Sequence, residues 1–349
     1  MIVNIGKHTL SENNPAFVMA EMSGNHGGSI DRALKIIHSA KKAGADAVKL
    51  QTFTADTITL KSTNNDFSLP KDSPWSEHKT LWDLYNEAHT PWEWHEEIFK
   101  EARSIGLEIF SSPFDESAVD FLEDLGVSAY KIASPEITHI PLIEKVAITK
   151  KPVVISTGVA NIEDLDLAVN TLKKSGCKEI IILKCTSAYP TPANELNLIT
   201  LSDMKSRYKT LVGLSDHTTG NVAATTSIAL GAKFIEKHFK IEDGHETVDS
   251  FFSCNEQDFK ALVEQIRYVE ESLGTVNYEI SKSSKSSING RRSIYVSSNI
   301  KKGEKISKSN IKVVRPSHGL HPRFYNEIIG KKVNTDLELG DRITLDMID

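Results

Sequence analysis

Two lysines of this sequence are enclosed by apolar residues. Lys49 lies between a valine and a leucine, and Lys131 lies between a tyrosine and an isoleucine. An ammonium group removed from water is costly unless a partner compensates its charge. Lysines in such positions therefore indicate a bound anion, and phosphate and carboxylate oxygens are the natural ligands of this kind of site.

Hydroxyl side chains recur at the ends of similar apolar runs. A terminal serine is more often a turn or capping residue than a ligand-binding one. A ring of such hydroxyls that converges with the two lysines would nevertheless complete an anion site. The candidate residues for this ring are Ser112, Ser134, Ser156, Ser187 and Ser215.

Two histidines follow the last two apolar runs. His217 and His238 would leave several coordination positions of a divalent cation open for water and substrate. Glu21 and Asp216 supply oxygen groups nearby, which favours Mn²⁺ or Mg²⁺ over a closed structural zinc site. The alternative is that both histidines only form hydrogen bonds to loops.

Eight short apolar runs, each followed by an amphipathic segment, would position these residues. This alternation predicts parallel strands that are buried on both faces, and eight strands close a (β/α)₈ TIM barrel. The strand carboxyl ends then meet at one mouth, where the polar residues converge. An open doubly wound sheet is the alternative, but no glycine-rich dinucleotide fingerprint follows the first run. The predicted strands are Phe17–Glu21, Ala47–Gln51, Glu108–Ser112, Ala129–Ser134, Val153–Ser156, Ile180–Cys185, Leu211–Leu214 and Phe234–His238.

The chain divides into a barrel over residues 1–280, a linker over 281–289 and a small β-rich domain over 290–349. The linker is rich in serine and lysine. In the small domain, a glycine turn at Gly303 and another at Gly340 each lead into a short apolar strand. One barrel connection, of about 40 residues before Pro91, is long enough to form a lid or a subunit contact, or to pack without a catalytic role.

Composition limits the class of protein. The 349 residues are 39% hydrophobic and 25% charged, as in soluble globular proteins, and the net charge of −6 argues against a nucleic-acid-binding protein. No apolar stretch is long enough for a membrane span, and the first residues do not resemble a signal peptide. The odd, sparse set of three cysteines suggests a reducing cytoplasm.

Motifs along the whole chain resemble the sialic acid synthase family. Its fold is a TIM barrel followed by an antifreeze-like (SAF) domain of the β-clip type, and the region around Arg315-Pro316 and Gly319 resembles that domain. The resemblance implies a transferase that joins phosphoenolpyruvate to an acetamido sugar. The motifs are Ala20–His26, Val48–Thr52, Ser111–Phe114, Tyr130–Ser134, Ser156–Gly158, Cys185–Pro190, Gly213–His217 and Glu236–Phe239.

The resemblance also implies roles for the candidate residues. The two lysines and five serines would hold phosphoenolpyruvate, and Glu21 would orient or deprotonate water. A divalent metal, Mn²⁺ with Mg²⁺ or Co²⁺ as alternatives, would bind His217 and His238. The family forms a domain-swapped homodimer, in which Arg315 of the partner subunit would contact the sugar. The other expected sugar-binding residues are Gln51, Tyr189 and Asp249.

Within the family, three segments resemble the pseudaminic acid synthase branch: Ala20–His26, Pro91–His95 and Ser111–Glu116. The expected sugar is then 2,4-diacetamido-2,4,6-trideoxy-L-altrose. Pro135 departs from the family pattern, which has an aromatic residue there. N-acetylneuraminate and legionaminate synthases, which use the same chemistry, remain alternatives.

Two alternative interpretations place the protein outside this family. One is another phosphoenolpyruvate-using or class II aldolase-like barrel that acts on a simple sugar phosphate, and such enzymes generally lack the C-terminal domain. A carbohydrate- or ice-binding protein without catalysis would present a flat face of apolar residues and threonines. The small domain carries many charges instead: Lys301, Lys302, Glu304, Lys305, Lys308 and Lys312.

Overall fold

The chain folds into two units, divided after Gly274. The structure is a computed structural model that describes residues 1–242 and 244–349. The first unit spans Met1–Gly274 and the second spans Thr275–Asp349. No helix of the described ranges is long and apolar enough to cross a membrane.

The first unit is built around a closed barrel of eight parallel strands, which confirms the predicted (β/α)₈ fold. A hairpin of β1 (Ile2–Ile5) and β2 (His8–Ser11) precedes it. The barrel strands follow in chain order, and the last pairs with the first. They are β3 (Phe17–Glu21), β4 (Ala47–Thr52), β5 (Glu108–Pro113), β6 (Tyr130–Ile132), β7 (Val153–Ser156), β8 (Ile180–Cys185), β9 (Leu211–Asp216) and β10 (Phe234–His238).

Amphipathic helices surround the barrel. Their apolar faces and the strands form one continuous core, in which residues such as Ile36, Phe99 and Phe259 are fully or almost fully buried. The helices of this unit are α1 (Ile30–Lys42), α2 (Ala55–Ile58), α3 (Leu81–Ala88), α4 (His95–Ser104), α5 (Glu116–Asp124), α6 (Ile140–Ile148), α7 (Ile162–Lys174), α8 (Thr200–Tyr208), α9 (Val222–Ala229) and α10 (Glu256–Leu273).

A buried ion pair lies on the outer side of two adjacent strands. Lys237 Nζ of β10 donates to Asp216 Oδ2 of β9 at 2.7 Å and to the Thr218 carbonyl at 2.8 Å. Both charged side chains are at most 3% exposed. Asp216 therefore faces away from the barrel axis, and the expectation that it supplies an oxygen near a metal is wrong.

Two buried histidines link the barrel to the segment before α4. His95 Nδ1 donates to the Pro91 carbonyl at 3.1 Å, and its Nε2 is 2.9 Å from Thr52 Oγ1. His26 Nε2 lies 3.2 Å from Thr90 Oγ1. The Thr90 hydroxyl is thus within hydrogen-bonding distance of His26. The chain then forms a 3₁₀ turn before helix α4 begins at His95.

These histidines predict a loss of stability in acid. Burial lowers the pKa of both His26 and His95 from 6.5 to about 4. Between those pH values the unfolded chain binds protons that the folded chain does not, so the free energy of unfolding decreases as pH falls. Each histidine is expected to lower the free energy of unfolding by on the order of 3 kcal/mol over this pH range.

Chemical denaturation of the wild type and of His95→Gln at pH 4 to 8 checks this prediction. We expect the stability difference between the two proteins to shrink as pH falls from 6.5 to 4, because glutamine binds no proton. His139→Gln, which changes a side chain that is 40% exposed, is the control. A stability difference that is constant over this pH range contradicts the prediction.

The second unit is a small β-rich domain. Strands β11 (Ser293–Val296) and β12 (Ile311–Val314) are antiparallel, and one short helix, α11 (Tyr325–Ile328), follows them. Gly303 and Gly340 both have positive φ, 85° and 94°, as expected of glycine turns. The domain has its own apolar core: Ile294, Val296, Ile300, Ile306, Ile311, Ile328, Val333, Leu337 and Ile343.

Candidate active site

A cavity of about 540 Å³ opens at the carboxyl ends of the barrel strands. Its floor, which we call the polar floor, carries the charged and hydroxyl side chains of the strand ends. The polar floor consists of Glu21, Lys49, Lys131, Ser134, Ser156, Ser215, His217, Glu236 and His238. The predicted convergence of strand-end residues is therefore present.

One half of the polar floor is an ion pair between β3 and β4. Glu21 and Lys49 are register partners, and the Lys49 ammonium contacts the Glu21 carboxylate. Burial raises the pKa of Glu21 to about 7 against the opposing effect of Lys49. Although burial disfavours the Lys49 ammonium, the carboxylates of Glu21 and Glu236 raise its pKa. A carboxylate with this pKa is suited to accept a proton near neutral pH.

The other half of the polar floor is centred on Glu236. Lys131 Nζ lies 3.6 Å from Glu236 Oε2, and Ser215 Oγ donates to Glu236 Oε1 at 2.9 Å. Burial lowers the pKa of Lys131, while Lys131 and Lys49 lower that of Glu236 despite its burial. Sequence reasoning did not assign Glu236 to the site. The signal was its spacing of two from His238, which puts both side chains on one strand face.

His217 and His238 lie side by side, with ring centroids 5.3 Å apart. His217 Nδ1 donates to the Thr186 carbonyl at 3.1 Å, which leaves its Nε2 available. His238 Nδ1 is buried and has no hydrogen-bond partner among the described residues. Burial, followed by the effect of His217, lowers the pKa of His238, so that this imidazole is neutral, as metal coordination requires.

The donor set fits an open metal site rather than a closed one. Within residues 1–242 and 244–349, no three His, Cys, Asp or Glu side chains are arranged to hold a cation. His238 Nδ1, which has no partner among the described residues, and the Nε2 of His217, whose Nδ1 is used by Thr186, offer two nitrogen ligands. Water and substrate oxygens would complete the coordination of a divalent ion here.

Hydroxyl groups line a tight turn after β7. The Gly158 N–H donates to Ser134 Oγ at 2.9 Å, and Ser156 Oγ is buried without a hydrogen-bond partner among the described residues. A Cβ atom on Gly158 would lie 2.2 Å from Ser187 Oγ. Ser187 itself does not line the cavity, and neither does Ser112, which accepts a hydrogen bond from Lys49 at 3.2 Å.

Polar groups also extend from the polar floor toward the cavity entrance. Gln51 Nε2 donates to Glu21 Oε1 at 3.1 Å and to Ser23 Oγ at 3.0 Å. Ser23 Oγ in turn donates to Asp249, whose pKa is raised by burial. Tyr189 lines the cavity beside His217, with ring centroids 4.5 Å apart. Arg315, the remaining predicted sugar-binding residue, belongs to the second unit.

Two further groups of the cavity, a carboxylate and a hydroxyl, had been given no role by the sequence. Glu136 lines the cavity, its Oε2 is buried without a hydrogen-bond partner among the described residues, and burial raises its pKa to about 7. Ser23 has a φ of 48° and connects Gln51 to Asp249. Neither follows from strand periodicity, because both residues lie in short 3₁₀ turns after the strands.

Comparison with known proteins decides the family. The NeuB family matches residues 36–278, which is most of the barrel, and the SAF domain matches residues 291–349. The chain belongs to the NeuB family. The resemblance drawn from the strand-end motifs is thereby confirmed.

Relatives of the NeuB family match almost the whole chain. A pseudaminic acid synthase of Campylobacter jejuni (strain 81-176) is 44% identical over 327 residues, which cover 94% of this chain and 95% of the relative. A pseudaminic acid synthase of Helicobacter pylori is 39% identical over 342 residues, or 96% of this chain and 98% of the relative. The crystal structure of the N-acetylneuraminic acid synthetase from Leptospira borgpetersenii, in complex with citrate, is 27% identical. It superposes with a TM-score of 0.73 and covers 82% of this chain and 95% of the other.

Proposed function

We propose that this protein is a pseudaminic acid synthase. It would condense phosphoenolpyruvate with 2,4-diacetamido-2,4,6-trideoxy-L-altrose and water to give pseudaminic acid and phosphate. The observation that carries the proposal is the 44% identity to a pseudaminic acid synthase over 94% of this chain. The cavity supports it, because lysines, hydroxyls and a pair of imidazoles meet at the barrel mouth.

We propose that phosphoenolpyruvate lies on the polar floor. Lys49 and Lys131 would bind its phosphate and carboxylate oxygens by charge-assisted hydrogen bonds. Ser134 and Ser156 line the same region and would donate further hydrogen bonds, whereas Ser215 would first have to turn its hydroxyl away from Glu236. Ser112 would act indirectly by holding Lys49, and Ser187 lies close to the turn at Gly158.

The chemistry then proceeds by addition and elimination. The C2–C3 π electrons of phosphoenolpyruvate form a bond from C3 to the aldehyde carbon of the sugar, whose oxygen takes up a proton. A water oxygen bonds to C2, and Glu21 accepts a proton from that water. Cleavage of the bond between C2 and the phosphate oxygen releases phosphate and leaves the C2 carbonyl, as the proton of the new C2 hydroxyl passes to the phosphate. The proton accepted by Glu21 balances the one taken up by the sugar oxygen. The raised pKa of Glu21, about 7, suits this role.

His217 and His238 would hold a divalent metal, which we propose to be Mn²⁺, with Mg²⁺ and Co²⁺ as alternatives. When bound, the cation would act as a Lewis acid toward the aldehyde carbonyl. His217 is oriented for this role by the Thr186 carbonyl. Gln51, Tyr189 and Asp249 would bind the sugar toward the cavity entrance, where they line the wall.

We further propose that the protein works in the cytoplasm as a domain-swapped homodimer. Arg315 of the partner subunit would then contact the sugar. Kinetics of Arg315→Ala test the role of this residue. An increase in KM for the sugar is expected, and an unchanged KM and kcat would contradict the proposed contact.

A phosphate-release assay tests the proposed function. Metal-stripped protein is mixed with phosphoenolpyruvate and one of three sugars, with and without Mn²⁺. The sugars are the L-altrose derivative, the legionaminate precursor and N-acetylmannosamine. Metal-dependent release with the L-altrose derivative alone is expected. Release with another sugar would indicate a legionaminate or N-acetylneuraminate synthase, and release with none would refute the reaction.

A further inference from the structure

The entrance of the cavity has a different chemistry from its floor. Its lining is dominated by apolar and aromatic side chains, and the polar exceptions outside the polar floor are Ser23, Gln51, Ser73, Glu136 and Asp249. Most of the apolar and aromatic side chains come from residues 53–90, the long connection between β4 and α4. We call them the outer wall: Phe53, Ile58, Leu69, Trp75, Leu81, Leu84 and Tyr85.

The outer wall is fixed to the barrel at several points. The Phe53 ring contacts Phe114 edge-on, with centroids 5.0 Å apart, and contacts Tyr85 in the same way at 5.9 Å. Trp75 Nε1 donates to the Val248 carbonyl at 2.7 Å. An isolated antiparallel bridge joins Ser68 to Thr80.

The bridge between Ser68 and Thr80 holds together the chain segments that carry Leu69 and Leu81. Trp75 also contacts Tyr189 edge-on, with centroids 5.7 Å apart, so the wall extends to the residue that lies beside His217. The wall is therefore a packed surface in a defined position beside the sugar-binding groups, and its chemistry bears on which sugar fits.

The candidate sugars differ in the groups that they would present to this wall. The L-altrose derivative carries a methyl group at C6 and acetamido groups at C2 and C4. N-acetylmannosamine carries hydroxyls at C4 and C6. A hydroxyl placed against apolar side chains loses its hydrogen bonds to water without replacement, whereas a methyl group gains burial.

We propose that the outer wall receives the C6 end of the sugar and selects it by its substituent, accepting a 6-deoxy sugar and rejecting one with a hydroxyl at C6. This inference rests on the proposed function. The wall discriminates by the polarity of that substituent and not by ring configuration. The legionaminate precursor has the same substituents as the L-altrose derivative. Other groups of the cavity must therefore exclude it.

The test is the double variant Leu69→Gln/Leu81→Gln, which places two amides in the wall without a large change of volume. We expect kcat/KM for the L-altrose derivative to fall about 10- to 100-fold, the range that one or two apolar contacts supply in a specificity pocket. The value for N-acetylmannosamine, measured at high enzyme concentration because the wild type is expected to turn this sugar over only very slowly, should stay equal or rise. The KM for phosphoenolpyruvate should stay within about twofold, because the polar floor is untouched.

Leu60→Gln is the matched control, since Leu60 belongs to the same connection but is 63% exposed and does not line the cavity. This substitution should leave kcat/KM for both sugars unchanged. If the double variant does not fold, as judged by circular dichroism, the single variant Leu69→Gln is measured in the same way. An equal decrease for both sugars would overturn the proposal, because the wall would then support only the fold.

The assay separates this inference from the proposed function. If the wild type uses the legionaminate precursor in place of the L-altrose derivative, the proposed function fails. The wall is then tested with that precursor against N-acetylmannosamine. A wild type that prefers N-acetylmannosamine, or that uses no sugar, overturns both.

Discussion

Replacing Lys131 by methionine is expected to lower kcat/KM for phosphoenolpyruvate by at least about 10³-fold, which corresponds to roughly 4 kcal/mol. The ammonium is 3% exposed and lies 3.6 Å from Glu236 Oε2, deep in the polar floor. Its removal deletes a charge that would bind the substrate anion, and it leaves the Glu236 carboxylate without its closest cation. A buried carboxylate left unpaired in this way costs about 3–5 kcal/mol of stability.

The control for this substitution is Lys184→Met. Lys184 lies near the end of β8 and donates to the Cys185 carbonyl at 2.6 Å, but it does not line the cavity. Steady-state kinetics and urea unfolding of both variants separate the two effects. If Lys131→Met is too unstable to assay, Lys131→Arg retains the charge and should be far more active than the methionine variant. Activity of Lys131→Met within tenfold of wild type would contradict a substrate-binding role.

Gly158→Ala is expected to raise the KM for phosphoenolpyruvate about 100-fold, equivalent to roughly 3 kcal/mol. The new Cβ would lie 2.2 Å from Ser187 Oγ, 2.8 Å from Ser134 Oγ and 2.9 Å from Cys185 Sγ. Atoms do not approach this closely, so the hydroxyls must move and the turn after β7 must shift. Overpacking of this kind typically costs a further 1–3 kcal/mol of stability.

Gly158→Ala/Ser187→Ala distinguishes this steric effect from a loss of backbone freedom. Removal of the Ser187 hydroxyl takes away the nearest clash, so the double variant should be more stable than the sum of the two single variants predicts. Gly290→Ala, where a Cβ meets nothing within 4 Å, is the control. Strict additivity of the two substitutions, measured by urea unfolding, would show that the predicted clash is not the cause.

Much of the barrel could be predicted because its strands are short apolar runs with polar ends. The bounds of β3, β7, β8 and β10 agree with the predicted ones. The predicted strand at Ala129–Ser134 is shorter in the structure, Tyr130–Ile132, because a 3₁₀ turn begins at Pro135. Periodicity detects the burial of a run, but it does not detect the turn that ends a strand early.

The predictions for the site were wrong about the strand face on which a side chain lies, and not about the residue types that the site contains. Ser215 and His217 line the cavity, and Asp216 between them points outward to Lys237. Strict alternation along β9 would have separated Asp216 from its neighbours. The same alternation along β10 places Glu236 on the face of His238, where the sequence had given it no role.

The outer wall could not be predicted from the sequence. Residues 53–90 contain two short helices with 3₁₀ and irregular structure between them, so no period indicates which side chains face the cavity. Trp75 and Tyr85 line the cavity, whereas Trp82 donates to Asp56 at 2.8 Å and does not. These positions depend on tertiary contacts, such as the hydrogen bond from Trp75 to the Val248 carbonyl.

The buried pair of Lys237 and Asp216 helps to fix the register of β10, and with it the direction in which the site residues of this strand point. Side chains alternate along a strand, so a slip of β10 by one residue would bring Lys237 into the cavity and turn Glu236 and His238 outward. Such a slip would also separate Lys237 from Asp216 and leave two buried charges unpaired, which is strongly unfavourable. The pair thus fixes the register of β10 from the side of the strand that faces away from the cavity. It keeps Glu236 and His238 directed into the cavity without contacting either of them.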